Sequence, residues 1–310
     1  MRFRAFGLDV STAFPIAGVH ESPHLGGGRA LELELCDQLD PPFAAAARRI
    51  SEARLADGAV AASVDLAPGH GYLIRADGFG RALMTADARR VLIEPTRGSE
   101  LGWQRYLLGQ VLPLAALLQG LEVFHASVVE RSGRAIALAA GSGVGKTTVA
   151  LELVRRGLGF LSDDVLAAEA PGERPVAHPA VGVANVRPAA YGLLAELERA
   201  GRATRVAATD VETRVSVDLV PGPLPLAALV VLVLVDDPHA LHCEQLTPVD
   251  PRLLLAASFN VAIQTPERLS RQLDVCSRIS RAVPVFRIDR GERVAPSDVA
   301  DVILSRTPAG

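Results

Sequence analysis

Lysine is almost missing from this 310-residue chain: one ammonium, Lys146, stands against 31 guanidiniums. Arg is planar and forked, whereas Lys is a compact point charge on a thin stem. A position that keeps the only Lys therefore asks for a charge in a narrow place. Cysteine is scarce as well. Cys36, Cys243 and Cys276 lie far apart, with no CxxC or Cys/His spacing. That argues against a disulfide framework and a structural zinc site, and fits reduced core thiols in a cytoplasmic protein. No block of five or six like charges occurs and the net charge is −3, so nothing points to nucleic acid or an anionic membrane as a partner. Long apolar runs are also lacking. The longest, residues 224–235, is too short to span a bilayer and rich in Val, so it reads as a buried strand. The opening "MRFRAFGLDVSTAF" has no extended apolar stretch, and no signal peptide is expected.

What remains is ordinary for a soluble globular protein, 49% hydrophobic and 22% charged, and long enough for one large domain or two modest ones. Residues 1–97 read as a smaller β-rich α+β unit with a role in substrate recognition. Within it, "GYLIRADGFGRALMTADARRVLIEP" has short β-like runs broken by turn residues, the mark of a meander. "FAAAARRISEARLA", residues 43–56, reads as a helix. His20, His24 and His70 are isolated and carry no visible chemistry. From 98 to 310 the pattern changes. Leu107, Val111, Leu114, Leu117 and Leu118 mark one helical face that ends at Gly120. Strand-like and helix-like segments then alternate to the end of the chain, which argues for an α/β core.

The lone Lys sits in "AAGSGVGKTTVALELVRRG". Residues 140–147 fit a phosphate-binding loop whose first glycine is replaced by Ala140, set between a strand and a helix. Backbone N–H groups at Gly141, Ser142, Gly143, Val144 and Gly145 are expected to converge on phosphate oxygens, helped by the helix dipole. Lys146 then supplies the point charge, Thr147 a hydroxyl for Mg²⁺, and Thr148 completes the set. The pattern predicts a bound nucleoside triphosphate. By itself it leaves kinase, ATPase, GTPase and sensor open. "FLSDDV" follows, with Asp163 and Asp164 just past the next strand, where carboxylates hold Mg²⁺ or take a proton from an attacking hydroxyl. His125 comes into range by counting. If "ERSGR" turns at Ser132-Gly133, Arg131 faces Arg134 and His125 lies opposite Ala140, at the mouth of the loop.

"FHASVVERSGRAIALAAGSGVGKTTVALELVRRGLGFLSDD", residues 124–164, resembles the HPr serine kinase/phosphorylase family in the order and spacing of its His, hairpin, loop, helix and Asp pair. The likeness thins beyond this stretch but runs over roughly residues 121–304. It implies an HPr-kinase-type (PEP-carboxykinase-like) P-loop kinase domain with a mixed sheet. It also implies Mg-ATP-dependent phosphorylation of a serine hydroxyl, with Asp163 as base, Asp164 near the metal and His125 beside the transferring phosphate. The sequence departs from the family at Ala140 and Thr148. It also has "HPAVGVANVRP" where the bifunctional enzymes carry a glycine-containing signature. These departures bear on phosphorylase activity and on HPr as acceptor. The chain looks more like the HPr-kinase-related proteins of peptide-modification systems, lasso-peptide tailoring kinases among them. The expectation is therefore a kinase for Ser or Thr of a peptide or small protein. A small-molecule hydroxyl kinase and a non-catalytic ATP-binding sensor are the alternatives, and homo-oligomerisation is left open.

Overall fold

The computed structural model describes residues 1–22, 28–40, 47–98, 100–259 and 263–307. His24, Ser99 and residues 43–46 of the expected helix lie outside them. The chain divides into two compact units: Met1–Leu121 with Asn260–Thr265, and Glu122–Phe259 with Pro266–Gly310. Among the described residues, no helix is long and apolar enough to cross a membrane.

In the first unit, Arg2–Ala5 (β1), Leu8–Thr12 (β2), Arg29–Leu35 (β3), Arg48–Arg54 (β4), Val60–Ala67 (β5), Gly71–Ala76 (β6), Gly80–Thr85 (β7) and Arg90–Pro95 (β8) form one sheet. Their order is β1-β2-β3-β8-β7-β6-β5-β4; β6 to β8 are the expected meander, and β5 extends it by one strand. The helix expected over 43–56 is not found where the chain is described. Residues Arg48–Arg54 instead pair antiparallel with β5, with Arg49 opposite Asp65. The ladder and the Arg49–Asp65 ion pair outweigh a helix propensity worth only tenths of a kcal/mol per residue.

The helical stretch beyond residue 98 belongs to this unit, so the division falls after Leu121 and not near 97. Its parts are Glu100–Tyr106 (α1), a widened turn at Leu107–Val111 and Leu112–Leu118 (α2). Pro113 has no N–H to give Gly109, and the turn relaxes just before it. Packing explains the allegiance. Trp103 meets Phe14 edge-on at 5.6 Å, and Tyr106 lies 4.7 Å from Phe79. The Gln104 amide oxygen accepts from Ala17 N at 2.9 Å.

The second unit is built on a mixed sheet. Its strands are Glu122–Phe124 (β9), Ala126–Arg131 (β10), Arg134–Ala140 (β11), Gly159–Ser162 (β12), Leu166–Glu169 (β13), Val176–His178 (β14), Leu224–Leu234 (β18), Leu241–Gln245 (β19) and Val285–Arg290 (β20). Strands β11, β18 and β20 run parallel at its centre. Alternation along β11 shows the layering. Ile136 and Leu138 pack on one face with Lys146–Arg155 (α3), Tyr191–Arg199 (α4) and Pro296–Arg306 (α7). Ala135, Ala137 and Ala139 pack on the other with Pro251–Ala256 (α5) and Pro266–Ala282 (α6). Helices thus cover both faces of the sheet, which is why β18 carries an almost unbroken apolar run. The region 171–223, ambiguous in sequence, supplies β14, α4 and a small sheet of Val183–Val186 (β15), Ala203–Ala208 (β16) and Thr213–Val217 (β17). All three thiols are free, but only Cys276 is buried; Cys36 and Cys243 are partly exposed and so are not core thiols.

Candidate active site

The hairpin forms as the "ERSGR" turn dictates. Arg131 faces Arg134 and Ala126 faces Ala139, with Ser132 and Gly133 both at positive φ. The register carries His125 to the start of the glycine-rich loop. Strand β11 ends at Ala140, the loop follows, and α3 begins at Lys146. Gly143 and Gly145 have φ of 82° and 106°, where a side chain is strained. Gly141, Ser142 and Gly143 are exposed, while the Val144 side chain turns inward against the core. Whatever Val144 offers an anion comes from its backbone. Thr147 and Thr148 are half-buried in the first turn of α3.

Lys146 is 5% exposed. Its Nζ lies 2.9 Å from His125 Nε2, 3.2 Å from the Ala140 carbonyl and 3.7 Å from Asp164 Oδ1. Burial lowers its pKa, and the two aspartates oppose that shift. The His125 tautomer follows from its partners. Nδ1 lies 3.0 Å from the Asp164 carbonyl oxygen, which only accepts, so Nδ1 carries the proton. Nε2 is left as the acceptor for the Lys146 ammonium. Burial and Lys146 both push the His125 pKa down, keeping the ring neutral. The His125 backbone N–H is bound to Ala257 O at 2.6 Å, which fixes the ring's base.

The two aspartates sit in different surroundings. Asp163 Oδ1 accepts from Thr147 Oγ1 at 2.7 Å and Ser127 Oγ at 3.0 Å, and Oδ2 from Asn185 N at 3.3 Å. The residue keeps some surface, yet protein atoms crowd its carboxylate. That enclosure, with Asp164 alongside, pushes its pKa up to about 7 despite the three donors. Asp164 has a half-exposed side chain (51%) and a left-handed backbone, φ 62°. A Val165 N to Asp163 O bond of 2.8 Å closes a three-residue turn around it. Asp is one of the few non-glycine residues found at such a φ, and the turn sends the neighbouring carboxylates apart, one inward and one toward solvent.

The structure therefore brings His125, Lys146, Thr147, Asp163 and Asp164 together at one end of the parallel strands. Thr147, however, is bonded to Asp163 and not to Asp164, the residue paired with it in the sequence reading. Thr147 Oγ1 and Asp163 Oδ1 are hard oxygens of the kind Mg²⁺ takes. Among the described residues no group of three or more His, Cys, Asp or Glu side chains is arranged to hold a metal. A cation here would draw its remaining ligands from phosphate and water, as Mg²⁺ at nucleotides does. Sequence reasoning missed Ser127, fully buried and bonded to Asp163 through Oγ, which also accepts from Asp164 N at 3.3 Å. Sequence alone gave it no mark, since His125 is the bend between β9 and β10 and the strand period does not carry across it. Asn185 was also missed, and it acts through its backbone, which no side-chain pattern reveals.

No family model and no curated protein matches the chain. Among solved structures it is similar to the HPr(Ser) kinase/phosphatase from Coxiella burnetii, at 11% identity and a TM-score of 0.30, over 59% of this chain and 94% of that one. A likeness that faint carries no argument about activity, which rests on the residues alone.

Proposed function

We propose that the chain is a Mg-ATP-dependent kinase that transfers the γ-phosphoryl group to a Ser or Thr hydroxyl of a peptide or small protein. One observation carries the reading: a glycine-rich strand-to-helix loop, its Lys, a Thr–Asp oxygen pair and a second, half-exposed Asp all meet within hydrogen-bond or ion-pair reach. Phosphoryl transfer asks for these parts, since its catalysis is mostly positioning and charge stabilisation. A peptide acceptor is the part taken from the sequence resemblance. An extended chain fits such a site because only its hydroxyl has to enter.

The geometry favours reversing the aspartate roles that the resemblance implies. A general base needs a free oxygen within reach of the acceptor. Both oxygens of Asp163 are already committed to three donors, and its Oδ1 shares the Thr147 hydroxyl. Thr147 with Asp163 is therefore the pair that would hold Mg²⁺, which when bound neutralises charge on the β- and γ-phosphates. Asp164, whose half-exposed carboxylate is tied among the described residues only to Lys146 at 3.7 Å, takes the acceptor proton. The acceptor oxygen bonds to the γ-phosphorus, the bond to the bridging oxygen breaks, and ADP leaves. Lys146 stabilises the equatorial oxygens, and neutral His125 keeps the ammonium in place without adding charge.

The test is transfer of label from γ-labelled ATP, with Mg²⁺, to candidate peptides. The expected product is a phosphoester stable to mild acid and labile to alkali. Label found only on a free small molecule would make this a metabolite kinase. Nucleotide binding with no turnover on any acceptor would make it a sensor.

A further inference from the structure

Arg290, the last residue of β20, is 8% exposed, and its partners are unusual for a buried cation. Nη1 donates to Val144 O at 3.4 Å, Nη2 to Val294 O at 3.2 Å and Glu292 O at 3.5 Å, and Nε to Gly291 O at 3.3 Å. Every acceptor is a main-chain carbonyl. No carboxylate among the described residues is paired with it, and burial alone governs its pKa, which it lowers. A buried charge without a counterion is costly. The four carbonyl bonds explain a donor at this place, but they give no reason for a full positive charge.

Its position gives one. Strands β11, β18 and β20 are parallel neighbours, with Ala140 level with Leu232 and Leu232 level with Ile288. Arg290 thus leaves the sheet at the same edge as the phosphate loop, two strands away. Its backbone is pinned there: Val235 N donates to Arg290 O at 3.0 Å, and Gly291 N to Ala240 O at 2.7 Å. Gly291 has no room for a Cβ, which would stand 2.2 Å from Asp237 O. At the far end, Nη1 would lie 3.2 Å from a Cβ on Gly145, so the guanidinium rests against the loop's last glycine. In a trans peptide the C=O and N–H point opposite ways. By holding the Val144 carbonyl, Arg290 aims the Gly145 N–H away from itself, and no acid among the described residues offsets its charge.

We propose that Arg290 is a second cation of the nucleotide site, a positioning residue that fixes the Val144–Gly145 peptide and adds positive potential behind the loop for the polyphosphate. This rests on the reading of the loop as a nucleotide site. The role predicts an effect that a purely structural residue would not show: nucleotide affinity falls in variants that remain folded, and falls further when the charge is lost than when only the fork is lost. Arg290→Met in the full chain leaves four carbonyls without their donor and should melt lower than wild type, yet at temperatures where it is folded it should bind Mg-ATP about tenfold or more weakly by calorimetry. In the transfer assay KM for ATP should rise with kcat little changed, since the group acts on binding and not on the reacting atoms. Arg290→Lys, which keeps the charge but not the fork, should recover part of the affinity. Should the Met variant fail to fold, Arg290→Gln takes its place with the same expected loss of affinity. Wild-type affinity in the Met or Gln variant overturns the proposal while leaving the nucleotide site standing. Failure of the wild type to bind any nucleoside triphosphate overturns both.

Discussion

Replacing Asp163 by Asn should make the protein more stable at pH 8 and a weaker phosphotransferase when Mg²⁺ is limiting. The carboxyl has an ordinary pKa of 3.8 and is pushed to about 7 in the fold. A shift of about three units corresponds to about 4 kcal/mol of differential interaction. Because the residue keeps some surface, about half of that is a safer figure. The sign is set by linkage. An acid whose folded pKa is raised binds more protons folded than unfolded, so its favourable contribution is complete below pH 3.8 and is lost as pH climbs through about 7. At pH 8 the wild-type carboxylate therefore destabilises the fold by about 2 kcal/mol, and Asn removes that. Against the gain, an Asn that keeps its oxygen toward Thr147 and Ser127 turns its NH₂ toward the Asn185 N–H. That leaves a donor unmatched, at about 1 kcal/mol. The net expectation is a variant about 1 kcal/mol more stable at pH 8, a few degrees in melting temperature. At pH 5 the advantage should vanish or reverse, because the wild-type group is protonated there. Thermal unfolding without Mg²⁺ or nucleotide at the two pH values measures this. A difference equal at pH 5 and pH 8 would refute the raised pKa and the enclosure behind it. Under the proposed roles, the same variant should need about tenfold or more Mg²⁺ for half-maximal turnover.

Asp164→Asn should instead leave the Mg²⁺ requirement and nucleotide affinity near wild type while kcat falls about a hundredfold or more; a metal titration that moves with Asp164 and not with Asp163 restores the roles the sequence resemblance implied. Lys146→Arg should lose nearly as much transfer as Lys146→Ala, since a site closed to 5% exposure by His125 and Ala140 O has no room for a fork; near-normal turnover in the Arg variant would falsify that account of the lone Lys. With Mg²⁺ saturating, so that Asp163 stays ionised, transfer should still fall on acidification, because a protonated His125 would place a second cation 2.9 Å from Lys146 Nζ. His125→Gln should flatten that acid limb of the pH–rate profile, and an unchanged limb would assign it to another group.

The parts legible in the sequence were those with strict local geometry. The loop was readable because glycine spacing, strand and helix all had to agree, and the hairpin register because Ser132-Gly133 leaves one way to turn. His125 could be placed by counting for that reason alone. Long-range consequences were not legible. Which aspartate takes the Thr147 hydroxyl depends on a left-handed turn at Asp164, a conformation Asp tolerates but does not announce. Arg290 was hidden among 31 arginines because only the sheet order brings it to the loop. The helix expected over 43–56 failed where it is described because β5 offers Arg48–Arg54 a ladder that no local pattern contains. The domain boundary moved because α1 and α2 are claimed by Phe14 and Phe79, far back in the chain.

The first unit takes in Asn260–Thr265 as well as Met1–Leu121, so the chain visits it twice. A ribosome delivering the protein from its N-terminus has released only part of that unit when residue 121 emerges. The rest follows after almost 140 further residues, among them the whole phosphate loop. Domains usually mature one after another as they are synthesised; here the earlier unit has to wait for the later one. The same stitch limits recombination. A cut at 121 exports an incomplete first unit and leaves a stray piece of it in the second, so neither half is a portable module. Lineages that carry this arrangement are expected to inherit the two units together.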